Sequence, residues 1–110
     1  MLKKGNIYSS VPEGQTDTEY FETLHSANGL RIERIVGLKE FNEPGKWYDQ
    51  EEDEWVILLQ GNAELEIKNE DVLQLGQGDY VFLPAHKIHR ISRTSGEPKC
   101  LWLAVFGKMQ

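Results

Sequence analysis

Hydrophobic and polar positions alternate along much of the chain, and turn-forming residues cut it into short pieces. Asn28-Gly29, Gly61-Asn62, Lys68-Asn69-Glu70-Asp71, Gly76-Gln77-Gly78-Asp79 and Ser95-Gly96-Glu97-Pro98 are the punctuation. The pieces between them are of strand length and rich in β-branched, aromatic and leucine residues. The pattern predicts strands at Tyr20–His25, Leu30–Leu38, Glu54–Gln60, Ala63–Lys68, Asp71–Leu75, Tyr80–Leu83, His89–Arg93 and Leu101–Phe106. Asn28-Gly29 suits a two-residue hairpin turn, whose central residues both need positive φ. One alternative stays open: Thr16 with Glu19 has the form of a helix N-cap pair, and Tyr20, Phe21 and Leu24 have near-helical spacing.

The runs differ in how many faces they bury. Ala63-Glu64-Leu65-Glu66-Ile67 alternates cleanly, so one of its faces meets solvent. Trp55-Val56-Ile57-Leu58-Leu59 and Leu101–Phe106 do not alternate, which predicts cover on both faces. Many short strands with such centres and no good long helix make an all-β sandwich or barrel, and closure removes edges open to aggregation.

Composition narrows the class. The 110 residues are 39% hydrophobic and 27% charged, which is globular and matches one domain over residues 1–110. A net charge of −6 with no basic stripe argues against nucleic acid or membrane as partner. The lone Cys100 forms no internal disulfide, which suits a reducing, cytoplasmic setting; in its apolar run it reads as a small core residue. The Met1–Gly5 stretch has no apolar run behind its lysines and does not read as a signal peptide, and no run approaches the ~20 apolar residues of a membrane span. There is no nucleophile elbow, phosphate-binding glycine loop or zinc-type cysteine cluster.

Two segments stand out. Gly45-Lys46-Trp47-Tyr48-Asp49-Gln50-Glu51-Glu52-Asp53-Glu54 runs into an apolar strand, and Gly61 follows Glu54 after six residues. In the second, Gly78 is followed after five residues by Pro84, and His89 stands three residues beyond His86. These spacings resemble the two signature motifs of the cupin family over roughly residues 40 to 106. The resemblance implies a double-stranded β-helix, a jelly-roll-like cupin barrel, with motif residues pointing inward. It also implies a divalent metal, for which the family's usual set is three histidines and a glutamate, and commonly a homodimer.

The chain departs from that set. Only Glu54 and His89 match. The His-x-His positions are Tyr48 and Gln50 if three residues precede Glu54, or Trp47 and Asp49 if four do. His86 replaces a glycine. The expected metal ligands are therefore Gln50, Glu54 and His89, one nitrogen and two oxygens. That set suits manganese or iron better than zinc, with nickel a further candidate. Tyr48 and His86 are the candidate proton donors. Trp47 and Tyr48 are candidates for the pocket mouth or a dimer contact. The other aromatics, Trp55, Tyr80, Phe82, Trp102 and Phe106, are expected in the core.

Plainer roles stand beside these. Gln50 can be a loop residue, His89 a pocket histidine bonded to Glu54, and His86 an exposed turn residue. Arg93 shares a strand face with His89 and Ile91 and can reach a pocket anion or sit at the surface. His25 reads as incidental. Three functions follow: a metal-dependent isomerase or dioxygenase acting on a small polar molecule, a metal-free small-molecule-binding module, or an interaction scaffold.

Overall fold

The structure, a computed structural model, describes residues 2–11, 19–37, 40 and 45–110. Among the described residues eight strands follow one another: β1 (Glu19–Ala27), β2 (Leu30–Gly37), β3 (Asp53–Gln60), β4 (Ala63–Ile67), β5 (Val72–Leu75), β6 (Tyr80–Leu83), β7 (His89–Thr94) and β8 (Leu101–Gly107). They form two antiparallel sheets, one ordered β1-β2-β8-β3-β6 and the other β5-β4-β7. All eight strands expected from the pattern are present. Tyr20, Phe21 and Leu24 lie in β1, so the helical alternative fails there; Thr16 and Leu38 lie outside the described residues.

Local chemistry sets the turns. Asn28 and Gly29 have φ of 53° and 77° and close the β1–β2 hairpin, pairing Ala27 with Leu30. Gly61 and Gly78 both have φ of 91°, a region that strains side-chain-bearing residues. Their surroundings differ. A Cβ on Gly61 would lie 2.8 Å from Ser95 Oγ and 3.0 Å from Cys100 Cα, whereas one on Gly78 would meet open space.

The core lies between the sheets. Ile35, Val56, Leu58, Trp102, Ala104 and Phe106 project from the large sheet onto Ala63, Leu65, Ile67 and Leu75 of the small one. β4 shows the alternation that drives this, with its apolar residues buried and Glu64 and Glu66 half-exposed.

The outer face of the large sheet is less covered than its sequence suggests. Trp55, Ile57 and Leu59 are only half-buried, as are Leu103 and Val105. Tyr80 and Phe82, expected in the core, are 67% and 42% exposed, because on the edge strand β6 they alternate away from the inward Leu83. Trp55 packs against Tyr80 there. On the same sheet the buried Arg34 donates to the carbonyls of Ile7, Ser9 and Ser10 and pairs with Glu22, which fastens the first described segment to β1 and β2.

Candidate functional site: one pocket between the sheets

A cavity of about 80 Å³ opens between the sheets. Its polar lining is Glu19, Tyr48, Gln50, Glu54 and His89; the rest is apolar and includes Phe21, Ile35, Val56, Leu83, Trp102 and Phe106. Phe21 and Tyr48 keep 50% and 40% exposure and mark the mouth.

Backbone pairing decides which motif residues face inward. Tyr48 and His89 form an antiparallel bridge, with Tyr48 N–H donating to His89 O at 2.7 Å and His89 N–H to Tyr48 O at 3.1 Å. Directly opposed residues point to one face, so their rings stack with centroids 6.0 Å apart. Gln50, two residues on, shares that face. Trp47 and Asp49 alternate outward: Trp47 lies under the Arg90 guanidinium at 3.9 Å, and Asp49 meets His86 at 2.8 Å. The inward pair is therefore Tyr48 and Gln50. Trp47 is not at the mouth.

Gln50, Glu54 and His89 come together. Gln50 Nε2 donates to Glu54 Oε1 at 3.1 Å, and His89 Nε2 lies 3.8 Å from the same oxygen, beyond hydrogen-bond reach. His89 Nδ1 is 2.8 Å from the Lys87 carbonyl. A carbonyl only accepts, so Nδ1 carries the proton and the Nε2 lone pair faces the cavity. Burial lowers the His89 pKa, against the Lys87 carbonyl, which raises it. Burial pushes Glu54 up to about 7; Glu19 and Glu33 add to this, while the Gln50 bond and Arg31 oppose it.

Glu19 went unrecognised in the sequence. It opens β1, lines the pocket beside Phe21 two residues on, and is pushed up to about 7 by burial. The two-residue periodicity linking Glu19 to Phe21 carried the signal, but the helix-cap pattern with Thr16 competed with it. Burial, then the Glu19 and Glu54 charges, raise the Tyr48 pKa, so its hydroxyl keeps its proton.

Other candidates stand apart. His86 is exposed, outside the pocket lining, and its N–H donates to Gln50 O at 2.8 Å. His25 is exposed, near Lys3 Nζ. Arg93 leaves the inner face because of a bulge. Ile91 pairs with Leu65 but Arg93 pairs with Glu64, so Ser92 is an extra residue and the alternation flips. Arg93 then donates to Asn62 on the outside at 2.7 Å. Cys100 is fully buried, with its thiol 3.1 Å from Asn62 O.

Residues 40–106 match the family model for the cupin domain. The chain belongs to the cupin family. This cupin is similar to a protein of Ralstonia eutropha JMP134 that is provisionally named a mannose-6-phosphate isomerase. The identity is 38% over 98% of this chain and all of that one, with a TM-score of 0.88. A cupin superfamily protein of Desulfitobacterium hafniense DCB-2 shares 19% over 99% and 94% of the two chains, with a TM-score of 0.76. KdgF from a Halomonas species shares 17% over 88% and 86%, with a TM-score of 0.71. The last two likenesses are of fold. No curated protein sequence matches the cupin.

Proposed function

We propose that this cupin is an isomerase-type enzyme acting on a small polar molecule, with a divalent transition metal held by Gln50, Glu54 and His89. The supporting observation is the convergence of His89 Nε2 and Glu54 Oε1, 3.8 Å apart, on one cavity. The donor set fits such an ion. Ligating histidines usually anchor their second nitrogen, as His89 does on the Lys87 carbonyl. Turning the Gln50 amide presents its oxygen beside the carboxylate, since the two amide atoms are interchangeable by a flip. Among the described residues no three His, Cys, Asp or Glu side chains gather to bind a metal, so the amide is needed as third donor. Such an oxygen-rich set favours manganese or iron over nickel or zinc.

When bound, the ion would polarise a substrate oxygen as a Lewis acid. The chain supplies the rest. Tyr48 holds a proton at the mouth and is the acid–base group best placed to deliver it. Its ring fixes the His89 imidazole by stacking. Phe21, Ile35 and Trp102 exclude water around the bound molecule. His86 positions Gln50 through the backbone. The isomerase choice draws on the name of the Ralstonia relative.

One observation favours a second reading, a metal-free binding module. Gln50 already donates to Glu54, and burial moves Glu54 and His89 toward their neutral forms, so the pair can rest without an ion. In either reading the apolar outer face of the large sheet is the homodimer surface. The single-domain organisation and a cytoplasmic location belong to the same proposal; among the described residues no helix is long and apolar enough to cross a membrane.

Metal content tests it. Protein purified without chelator is expected to carry near-stoichiometric manganese, iron, nickel or zinc that His89→Ala and Glu54→Gln both remove. Wild-type protein that is empty and refuses added metal overturns the metal reading in favour of the second.

A further inference from the structure

The pocket carries two carboxyl groups and, among its described lining residues, no lysine or arginine. Arginines of the flanking strands are engaged elsewhere. Arg31 lies beyond Phe106, 4.4 Å over its ring, held by Glu33 and Glu52, and reaches Glu54 only as the smallest of the charges acting on it. Arg90 is bound to Glu66 through two nitrogens, and Arg93 to Asn62. Above about pH 7, where both acids ionise, the groups that remain are mostly acceptors: the Glu19 and Glu54 carboxylates and the His89 Nε2 lone pair. Donors are the Tyr48 hydroxyl and the Gln50 amide, together with the indole N–H of the lining Trp102, which has no partner among the described residues. Around them lies an apolar wall that strengthens any charge repulsion.

We propose that this pocket selects a non-anionic small molecule rich in hydrogen-bond donors, with Glu19 the residue that rejects phosphorylated and carboxylate ligands. The inference rests on the reading of the pocket as a ligand site. Glu19 stands on β1 at the start of the strand whose Phe21 marks the mouth, so an entering anion meets it in a desolvated setting. Burial pushes its carboxyl up to about 7, so above that pH it is ionised in a poorly solvated place, and a further negative group beside it is unfavourable. With both acids ionised, two positive charges from a divalent ion would only offset Glu19 and Glu54, leaving none for a phosphate. Size agrees. A cavity of roughly 150 Å³ encloses a benzene, and this one, at about 80 Å³, encloses only the end of a small molecule. The carbon skeleton would lie on Phe21, Ile35 and Trp102, and its hydroxyl or amine hydrogens would reach Glu19 and Glu54.

The test uses the full chain with matched probes: mannose and mannose 6-phosphate, dihydroxyacetone and its phosphate, glycerol and glycerate. Binding is read above pH 8, where Glu19 is ionised, at the His89 imidazole by NMR in stripped protein and by titration calorimetry in manganese-supplemented protein, whose paramagnetic ion would broaden the His89 signals. The uncharged member of a pair is expected to bind at least tenfold more tightly than its anionic partner in both forms. The near-isosteric Glu19→Gln is expected to shrink that gap to less than threefold. An anionic member that binds the wild type as tightly as its neutral partner overturns the inference, without any variant. So does a gap that survives Glu19→Gln. If no probe of either class perturbs His89, the reading of the pocket as a ligand site falls, and the inference with it.

Discussion

Glu54→Gln isolates the energy stored by a carboxyl group in an apolar wall. Burial moves that group from its ordinary 4.5 to about 7 in the folded chain. A raised carboxyl pKa means that the folded state holds its proton longer than the unfolded state does. Between pH 4.5 and 7 the native chain therefore binds more protons, and stability falls as pH rises through that window. Each pH unit of displacement is about 1.4 kcal/mol, so the full effect is about 3 kcal/mol above pH 7. Glutamine keeps the shape and an oxygen to accept from Gln50, but does not ionise.

Two neighbours also titrate. His89, lowered by burial, acts with the opposite sign, and Glu19 with the same sign. Both are present in wild type and variant, so the comparison cancels them to first order. The assay is urea unfolding of chelator-stripped protein from pH 4 to 9. Glu54→Gln is expected to match the wild type near pH 4.5, then exceed it by an amount that grows to about 3 kcal/mol at pH 7 and stays level. A difference that stays constant within about 0.5 kcal/mol over the whole range would refute the claim that burial displaces this carboxyl. If a metal binds, adding it should narrow the difference above pH 7, because only the wild type gains a charged ligand.

The motif glycines should separate by their surroundings. Gly61→Ala combines a φ of 91° with contacts near 3 Å to Ser95 and Cys100, and is expected to cost more than about 2 kcal/mol. Gly78→Ala meets only the backbone strain and should cost about 1 kcal/mol, both read by urea unfolding. The Trp102 indole N–H is buried without a partner among the described residues. Trp102→Phe should therefore cost under about 1.5 kcal/mol, while Trp102→Ala should cost about 3–5 kcal/mol through its cavity. Arg34→Met strips three backbone carbonyls of their donor. Its expected cost is about 2 kcal/mol, with faster amide exchange confined to residues 2–11.

The fold was legible because its signals are local and redundant. A positive-φ glycine or an Asn-Gly pair closes a turn whatever lies far away, and a two-residue alternation names the buried face. Eight strands could be placed on those grounds, and β4 shows the agreement residue by residue. The outer face of the large sheet was harder. Trp55, Ile57, Tyr80 and Phe82 are as apolar as core residues, and the sequence does not say whether their cover comes from the same chain. In the single chain they stay partly open.

The site was legible wherever periodicity ran unbroken and illegible where a backbone irregularity reset it. Glu54 and His89 follow from the resemblance to the cupin motifs, which places them at fixed distances from Gly61 and Gly78. Tyr48 and Gln50 needed one fact the spacing left open, the bridge from Tyr48 to His89, which turns Trp47 and Asp49 outward. Arg93 shows the limit. Counting by twos from His89 puts it in the pocket, yet a bulge at Ser92 sends it to Asn62. That one extra residue alters the chemistry, because with Arg93 inside the pocket would hold a fixed positive charge opposite Glu19 and Glu54. With it outside, no fixed cation balances the two carboxyl groups among the described lining residues. The charge character of this pocket thus follows from sheet register as much as from residue type.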